Sequence, residues 1–152
     1  MHLTGTHKFN ASTDKIWSKL MDVNTLERIT PGVSKLEEIG TDQYKAIAEV
    51  KMGPVSGSFS GNLNVLDKQE PRSFVLNIKQ NSKIGNVAAD VKIELQPLSE
   101  HETQLSCDGK ANMAGLLART GQRVMSGVAN TLSKQFFKAL EEELANSTSQ
   151  EV

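Results

Sequence analysis

The sequence contains very little cysteine: Cys107 is the single example among 152 residues. One cysteine cannot form a disulfide within the chain, and neither a Cys-x-x-Cys nor a His-x-x-x-His spacing is present to suggest a metal site. We therefore expect no metal at His7, His101 or Cys107, no resident cofactor and no catalytic residue. Cys107 is interpreted as a structural cysteine on the inner face of a strand.

Long apolar runs are also missing from the sequence. No stretch approaches the roughly 20 apolar residues that span a bilayer. Residues 1–9 lack the apolar core of a signal peptide. We therefore expect a cytoplasmic protein, with at most weak peripheral association with the inner face of the membrane.

The chain has no excess of charge of either sign. Its 17 basic and 18 acidic residues give a formal net charge of −1. This balance argues against a general attraction for nucleic acid or anionic membranes, although a local basic patch stays open. The length fits one domain, which we place at 1–145, followed by a flexible polar tail at 146–152.

Alternation of apolar and polar residues predicts strands over most of the chain. The predicted strands are 3–9, 36–39, 44–52, 55–65, 74–79, 87–95 and 103–113. Two short helices follow the first strand. Ser12 or Thr13 can cap a helix that carries Trp17 inward, and a second helix covers about 25–29.

After the last strand the apolar period becomes helical. Apolar residues at three- and four-residue steps predict one continuous helix over 115–144. An amphipathic helix must bury its apolar side, and the inner face of the sheet is the available surface. The sequence therefore predicts an α+β, helix-grip fold, in which a curved antiparallel sheet of about seven strands surrounds the long C-terminal helix.

A glycine-rich strand suggests where a cavity could lie. Gly57 and Gly61 flank Phe59 on one strand face, and glycine inside a strand marks either curvature or the close approach of another group. Both interpretations stay open. If the missing side chains make room for an apolar ligand, we expect a cavity that opens toward the beginning of the long helix. Its predicted floor, on two neighbouring strands, is formed by Val50, Met52, Gly57, Phe59 and Gly61. Its predicted roof, on the long helix, is formed by Leu117, Val124 and Val128.

Two arginines on the long helix form a second candidate. Arg119 and Arg123 are four residues apart and share a helix face. One interpretation is an ordinary solvated face. The alternative is a pair at the cavity mouth that meets an anionic head group or an acidic partner.

Several of these segments together resemble the carbon monoxide dehydrogenase G-subunit family of the START-like (SRPBCC) superfamily, over about residues 2–140. The most specific segment is the string Gly-Pro-Val-x-Gly-x-Phe-x-Gly at 53–61. Weaker matches are Leu-x-Gly-x-x-x-Phe at 3–9, Ile-Trp at 16–17, Pro-Gly at 31–32, Pro-Arg-Ser-Phe at 71–74 and Gln-Phe-Phe at 135–137.

The resemblance implies a helix-grip fold with an apolar cavity and an accessory role beside a molybdenum hydroxylase of the carbon monoxide dehydrogenase type. Three functions stay open. The chain could bind a lipophilic molecule, quinone-like or fatty-acid-like; it could be a recruitment or maturation factor with an incidental cavity; or it could be a cyclase- or hydratase-type enzyme. Fold alone does not decide among them, and we favour the binding or accessory protein.

Overall fold

A computed structural model describes the backbone of residues 1–150 and the side chains of residues 1–146. Seven strands and four helices follow one another in the predicted order, except that the C-terminal helix is divided in two. The elements are β1 His2–Phe9, α1 Thr13–Leu20, α2 Val23–Ile29, β2 Val33–Gly40, β3 Gln43–Met52, β4 Val55–Gln69, β5 Ser73–Ser82, β6 Gly85–Ser99, β7 Glu102–Met113, α3 Leu116–Thr120 and α4 Gln122–Gln150.

All seven strands form one antiparallel sheet in the order β1-β7-β6-β5-β4-β3-β2. Strands β2 to β7 are a simple meander, and β1 joins it beside β7. The curved sheet and the C-terminal helix confirm the predicted helix-grip fold. Most strands are longer than the alternation predicted, because hydrogen-bonded pairing continues into the polar residues at their ends.

The first helix forms where the sequence predicts it. Ser12 is its N-cap, and its hydroxyl accepts a hydrogen bond from the backbone N–H of Lys15 at 3.2 Å. The cap satisfies a backbone donor that would otherwise lack a partner at the helix start. Ile16, Trp17 and Leu20 are buried, so this helix covers one end of the inner sheet face.

The predicted continuous helix over 115–144 is wrong in one respect. Gly121, with φ 103° and ψ 146°, separates α3 from α4. This backbone conformation is essentially restricted to glycine and cannot continue a helix. The proposed domain boundary at 145 falls inside α4, whose backbone is helical to Gln150; residues 151–152 of the predicted tail lie outside the described residues.

Buried apolar side chains form two clusters. The main core lies beneath α1, α2 and the second half of α4, and it includes Phe9, Trp17 and Leu140. The second core cluster lies at the other end of the sheet, where Val55, Phe59, Leu117 and Met125 are buried together.

An ion pair and a hydrogen bond connect the second half of α4 to α2 and β1. Arg28 of α2 contacts Glu143 at 2.6 Å, and His7 of β1 contacts Glu141 at 3.1 Å. The hydrogen bond from Arg28 to Glu143 raises the pKa of the Arg28 guanidinium, with the attraction of the same carboxylate adding to it. Both contacts lie beyond Phe137, in the half of α4 whose Leu140 and Leu144 are buried in the main core, whereas Met125 of the first half is buried in the second core cluster.

Candidate ligand-binding cavity

A cavity of about 460 Å³ lies between the inner sheet face and α4. Its sheet wall consists of residues from five strands: Leu3, Leu63, Val65, Phe74, Leu76, Ile78, Val91, Ile93, Leu105 and Cys107. Leu20, Leu26 and Thr30 close it on the side of α1 and α2. Helix α4 contributes Ser126, Ala129, Asn130, Ser133, Phe136 and Phe137.

Small side chains on α4 keep this space open. Ser126, Ala129 and Ser133 follow one another at steps of three and four residues, so they lie on one helix face. Large apolar side chains at these positions would fill the gap above Leu76 and Val91, as Phe136 does one turn later. The cavity therefore results from small residues on the helix rather than from small residues on the sheet.

Aromatic rings close the cavity toward the end of α4. Phe137 stacks on His7 with ring centroids 5.3 Å apart, and it meets Phe136 edge-on at 6.1 Å. Beyond these rings Leu140 and Leu144 are buried in the main core. This end of the cavity is sealed by close packing.

The entrance lies between the edge strand β1 and α4. Of the lining residues, His2, Thr4 and Asn130 are exposed to solvent. Contacts between the two elements bound this opening on both sides: the Ser126 hydroxyl lies 3.7 Å from the Met1 sulfur, and Phe137 packs on His7. Because β1 is an edge strand, no further strand of the described sheet covers the opening.

The lining carries almost no charge. Among the residues that the structure describes, no Asp, Glu, Lys or Arg lines it, and the titratable groups there are His2 at the entrance and Cys107. His2 is paired with Asp108 on the neighbouring strand. Burial raises the pKa of the Cys107 thiol, and the Asp108 carboxylate adds to this, so the thiol is protonated near neutral pH.

The residues predicted to form the cavity lie elsewhere. Phe59 and Leu117 are buried in the second core cluster, and Val50 and Val128 pack against it. None of the eight predicted residues lines the cavity; the other four are Met52, Gly57, Gly61 and Val124. The sequence placed the open space at one end of the inner face, whereas the structure places it nearer the middle.

Two structural features explain why the predicted residues do not line the cavity: Gly61 packs against the neighbouring strand, and the helix break at Gly121 turns Val124 outward. A Cβ at Gly61 would overlap the carbonyl oxygen of Lys79, so the glycine allows close approach of β5 and leaves no room for a ligand. Val124 is 40% exposed, because the break at Gly121 gives α4 a helical phase unrelated to that of α3.

Arg119 and Arg123 are both exposed, and neither lines the cavity. Arg119 is in α3 and Arg123 follows the break at Gly121, so they do not share one helix as predicted. Their role as a contact for a partner or a head group stays a prediction.

The sequence analysis missed the residues that line this cavity, because a cavity is defined by how separate elements pack and no residue type marks it in the sequence. The available signal was the run of small residues at 126, 129 and 133 within an otherwise apolar helix pattern.

Across the described residues, no group of three or more His, Cys, Asp and Glu side chains is placed to hold a metal ion. Within the same part of the chain, none of the helices combines the length and apolar character needed to cross a bilayer.

Comparison with known proteins places this architecture in a family. A conserved protein from Geobacillus kaustophilus is 33% identical, with 97% of each chain covered and a TM-score of 0.94. A START superfamily protein from Mycobacterium smegmatis is 16% identical (95% of this chain and 97% of that one, TM-score 0.76), and the Zhui aromatase/cyclase from a Streptomyces species is 18% identical (97% and 95%, TM-score 0.72).

No protein of curated function matches the chain. The family model described as the G subunit of carbon monoxide dehydrogenase (CoxG) matches residues 5–145. The solved structures at 16% and 18% identity share the START-like fold. With a sheet, helix and cavity of this kind over nearly its whole length, the chain belongs to the carbon monoxide dehydrogenase G-subunit (CoxG) family.

Proposed function

We propose that this protein binds one lipophilic molecule, quinone-like or fatty-acid-like, in the cavity beneath α4. The observation that carries the proposal is the cavity itself: it measures about 460 Å³, it is apolar, and the described residues that line it include no Asp, Glu, Lys or Arg. Small-molecule pockets in proteins typically measure about 300–1,000 Å³. The polar groups at the lining, Thr30, Asn130 and Ser133 among them, are few and neutral.

Burial of apolar surface supplies enough free energy for such binding. Removing about 300 Å² of apolar ligand surface from water, at about 25 cal/mol per Å², gives roughly 7 kcal/mol before the entropy cost of association. Carriage of an apolar molecule therefore needs no specific bond.

The lining favours binding over catalysis. A hydratase or cyclase needs positioned acid and base groups, and within the described part of the chain the lining offers neither a carboxylate nor a lysine. The raised pKa of the Cys107 thiol makes it a weak nucleophile near neutral pH. His2, the remaining titratable group, lies at the entrance and is paired with Asp108.

The family description supports an accessory role. Its name refers to carbon monoxide dehydrogenase, and we propose a molybdenum hydroxylase of that type as the partner. The protein would serve it in the cytoplasm, peripheral to the membrane, with Arg119 and Arg123 as candidate contacts. A recruitment or maturation role would use the same surface and leave the cavity incidental.

Filling the cavity tests the proposal. Ser133→Leu places an apolar side chain in the space above the sheet, and we expect it to weaken binding of a fluorescent apolar probe at least about tenfold by occupying the site. Gln135→Leu is the matched control, because this exposed position lies on the opposite side of α4. Unchanged probe affinity in a folded Ser133→Leu protein would place the site elsewhere.

Cys107 provides an independent readout of position. It is the chain's single cysteine and lines the cavity. Because the pKa of its thiol is raised, alkylation by iodoacetamide should accelerate at higher pH than in the urea-unfolded chain. Saturation with the probe should slow alkylation further; equal rates with and without probe would contradict binding at this site.

A further inference from the structure

The middle of α4 contains residues that favour a helix only weakly. Five of them fall within eight consecutive positions: Ser126, Gly127, Asn130, Thr131 and Ser133. Each lowers the stability of a helix relative to alanine or leucine. Gly127 and Thr131 are exposed and do not line the cavity, whereas Ser126, Asn130 and Ser133 line it. Helix formation therefore does not explain the polar residues on the cavity side of α4.

Two of these cavity-lining side chains lack a hydrogen-bond partner. The Thr131 hydroxyl donates to the carbonyl oxygen of Gly127 at 3.0 Å, as serine and threonine hydroxyls within helices can do. In contrast, the side-chain amide of Asn130 and the hydroxyl of Ser133 form no hydrogen bond with the residues that the structure describes. Their hydrogen-bonding groups are available to a molecule in the cavity.

These available groups lie on the side of the cavity that opens to solvent. Asn130 is exposed at the entrance between β1 and α4, and Ser133 follows it by three residues on the same helix face. An asparagine amide offers two N–H donors and an acceptor oxygen, and a serine hydroxyl offers one donor and an acceptor. The opening can therefore hydrogen-bond a hydroxyl or a carbonyl group of a ligand.

Away from the opening, the described cavity wall is apolar or already hydrogen-bonded. Leu20 and Phe74 line the cavity and are buried. The Thr30 hydroxyl donates to the carbonyl oxygen of Leu26 at 2.6 Å, and the Cys107 thiol donates to a backbone carbonyl oxygen of β1 at 3.6 Å. A polar group of a ligand would lose its hydrogen bonds with water there and find few replacements.

We propose that the ligand of this cavity is an amphiphile that enters with its apolar end first. Asn130, together with Ser133, hydrogen-bonds its polar end at the opening, and its apolar end lies against Leu20 and Phe74. This inference rests on the proposed function and adds to it the direction of the ligand and the residues that recognise its polar end. In this direction the polar end keeps hydrogen bonds with protein and water while the apolar part leaves water.

The single tryptophan of the chain can report which end of the ligand lies inward. Trp17 is buried, and its ring meets the Phe74 ring edge-on with centroids 5.5 Å apart, so a group resting on Phe74 lies close to the indole. Bromine quenches tryptophan fluorescence at short range. Decanol brominated at its last carbon should quench Trp17, and decanol brominated beside the hydroxyl should quench it much less at equal occupancy. Ser133→Leu should abolish the quenching, because the leucine fills the cavity.

Replacement of Asn130 tests the polar contact. Asn130→Ala should weaken decanol binding about threefold to tenfold, which is the change expected for loss of one hydrogen bond. It should leave binding of diphenylhexatriene unchanged, because this apolar probe has no hydrogen-bonding group. Thr131→Ala is the matched control, since it changes the neighbouring exposed polar residue, which does not line the cavity. This variant should bind both molecules like wild type.

The inference and the proposed function fail in different ways. Wild-type protein that does not bind diphenylhexatriene would remove the proposed function, and this inference with it. If diphenylhexatriene binds, three results overturn the inference alone. Decanol fails to displace the probe, bromine beside the hydroxyl quenches Trp17 at least as strongly as bromine at the chain end, or Asn130→Ala does not distinguish decanol from diphenylhexatriene.

Discussion

A methyl group at Gly61 would overlap the backbone of β5, whereas one at Gly57 would meet the Ile84 side chain at an ordinary 3.8 Å. The two glycines lie on the same strand face, four residues apart, and sequence patterning treats them alike. Their neighbours differ: rigid backbone lies above one and a flexible side chain above the other. A missing side chain thus marks close strand approach at one position and spare room at the other.

This difference predicts opposite effects of alanine. Gly61→Ala should lower the free energy of unfolding by about 1–3 kcal/mol, because the strands must separate to admit the methyl group. Gly57→Ala should be neutral or should stabilise by up to about 1 kcal/mol, because alanine restricts the unfolded chain. Urea denaturation measures both. Equal stability of the two variants would show that Gly61 does not serve close packing.

At the scale of elements, the division between α3 and α4 determines what the helix presents to the sheet. Helix α3 places Leu117 in the second core cluster. After Gly121, α4 begins with a new phase and turns Ser126, Ala129 and Ser133 inward. A continuous helix would have carried the predicted stripe through Val124, which is instead substantially exposed.

Alanine substitutions at two glycines of this region should change the free energy of unfolding in opposite directions. A Cβ at Gly121 has no neighbour within 4 Å, yet its φ of +103° is unfavourable for alanine, so Gly121→Ala should destabilise by about 1–3 kcal/mol. Gly127 lies inside α4 with equal space, and Gly127→Ala should stabilise by about 0.5–1 kcal/mol. Urea denaturation again reports both values. If Gly121→Ala instead raised the free energy of unfolding, the prediction would be contradicted, because the helix break at Gly121 would then be less stable than a continuous helix.

At the scale of the whole molecule, the sheet holds two clusters of buried side chains with an open cavity beneath α4. The second half of α4 is tied by Arg28–Glu143 and His7–Glu141, and the first half covers the space. The protein therefore forgoes packing contacts that a filled core would make. Such a cavity can be stabilised by an occupant.

Thermal unfolding should reveal that stabilisation. An apolar ligand at 100 times its Kd adds about 2.7 kcal/mol to the free energy of unfolding, which for a domain of this size corresponds to about 5–10 °C in Tm. Ser133→Leu should raise the Tm of the unliganded protein and abolish the response to ligand, because the leucine takes the ligand's place. A ligand-induced shift that survives in this variant would indicate another site.

The sequence by itself determined the elements and their order. Alternation predicts each strand and the three- and four-residue steps predict the C-terminal helix, because these periods are properties of neighbouring residues. The string at 53–61 and the other matching segments were enough to predict the family, which the comparison confirms.

Tertiary structure alone decided where the cavity lies. The cavity is bounded by residues from five strands and three helices, so its position depends on how α4 meets the sheet, which no local period encodes. Gly121 is visible in the sequence, but its φ of 103° is a property of the folded backbone that the helical spacing of the apolar residues does not predict.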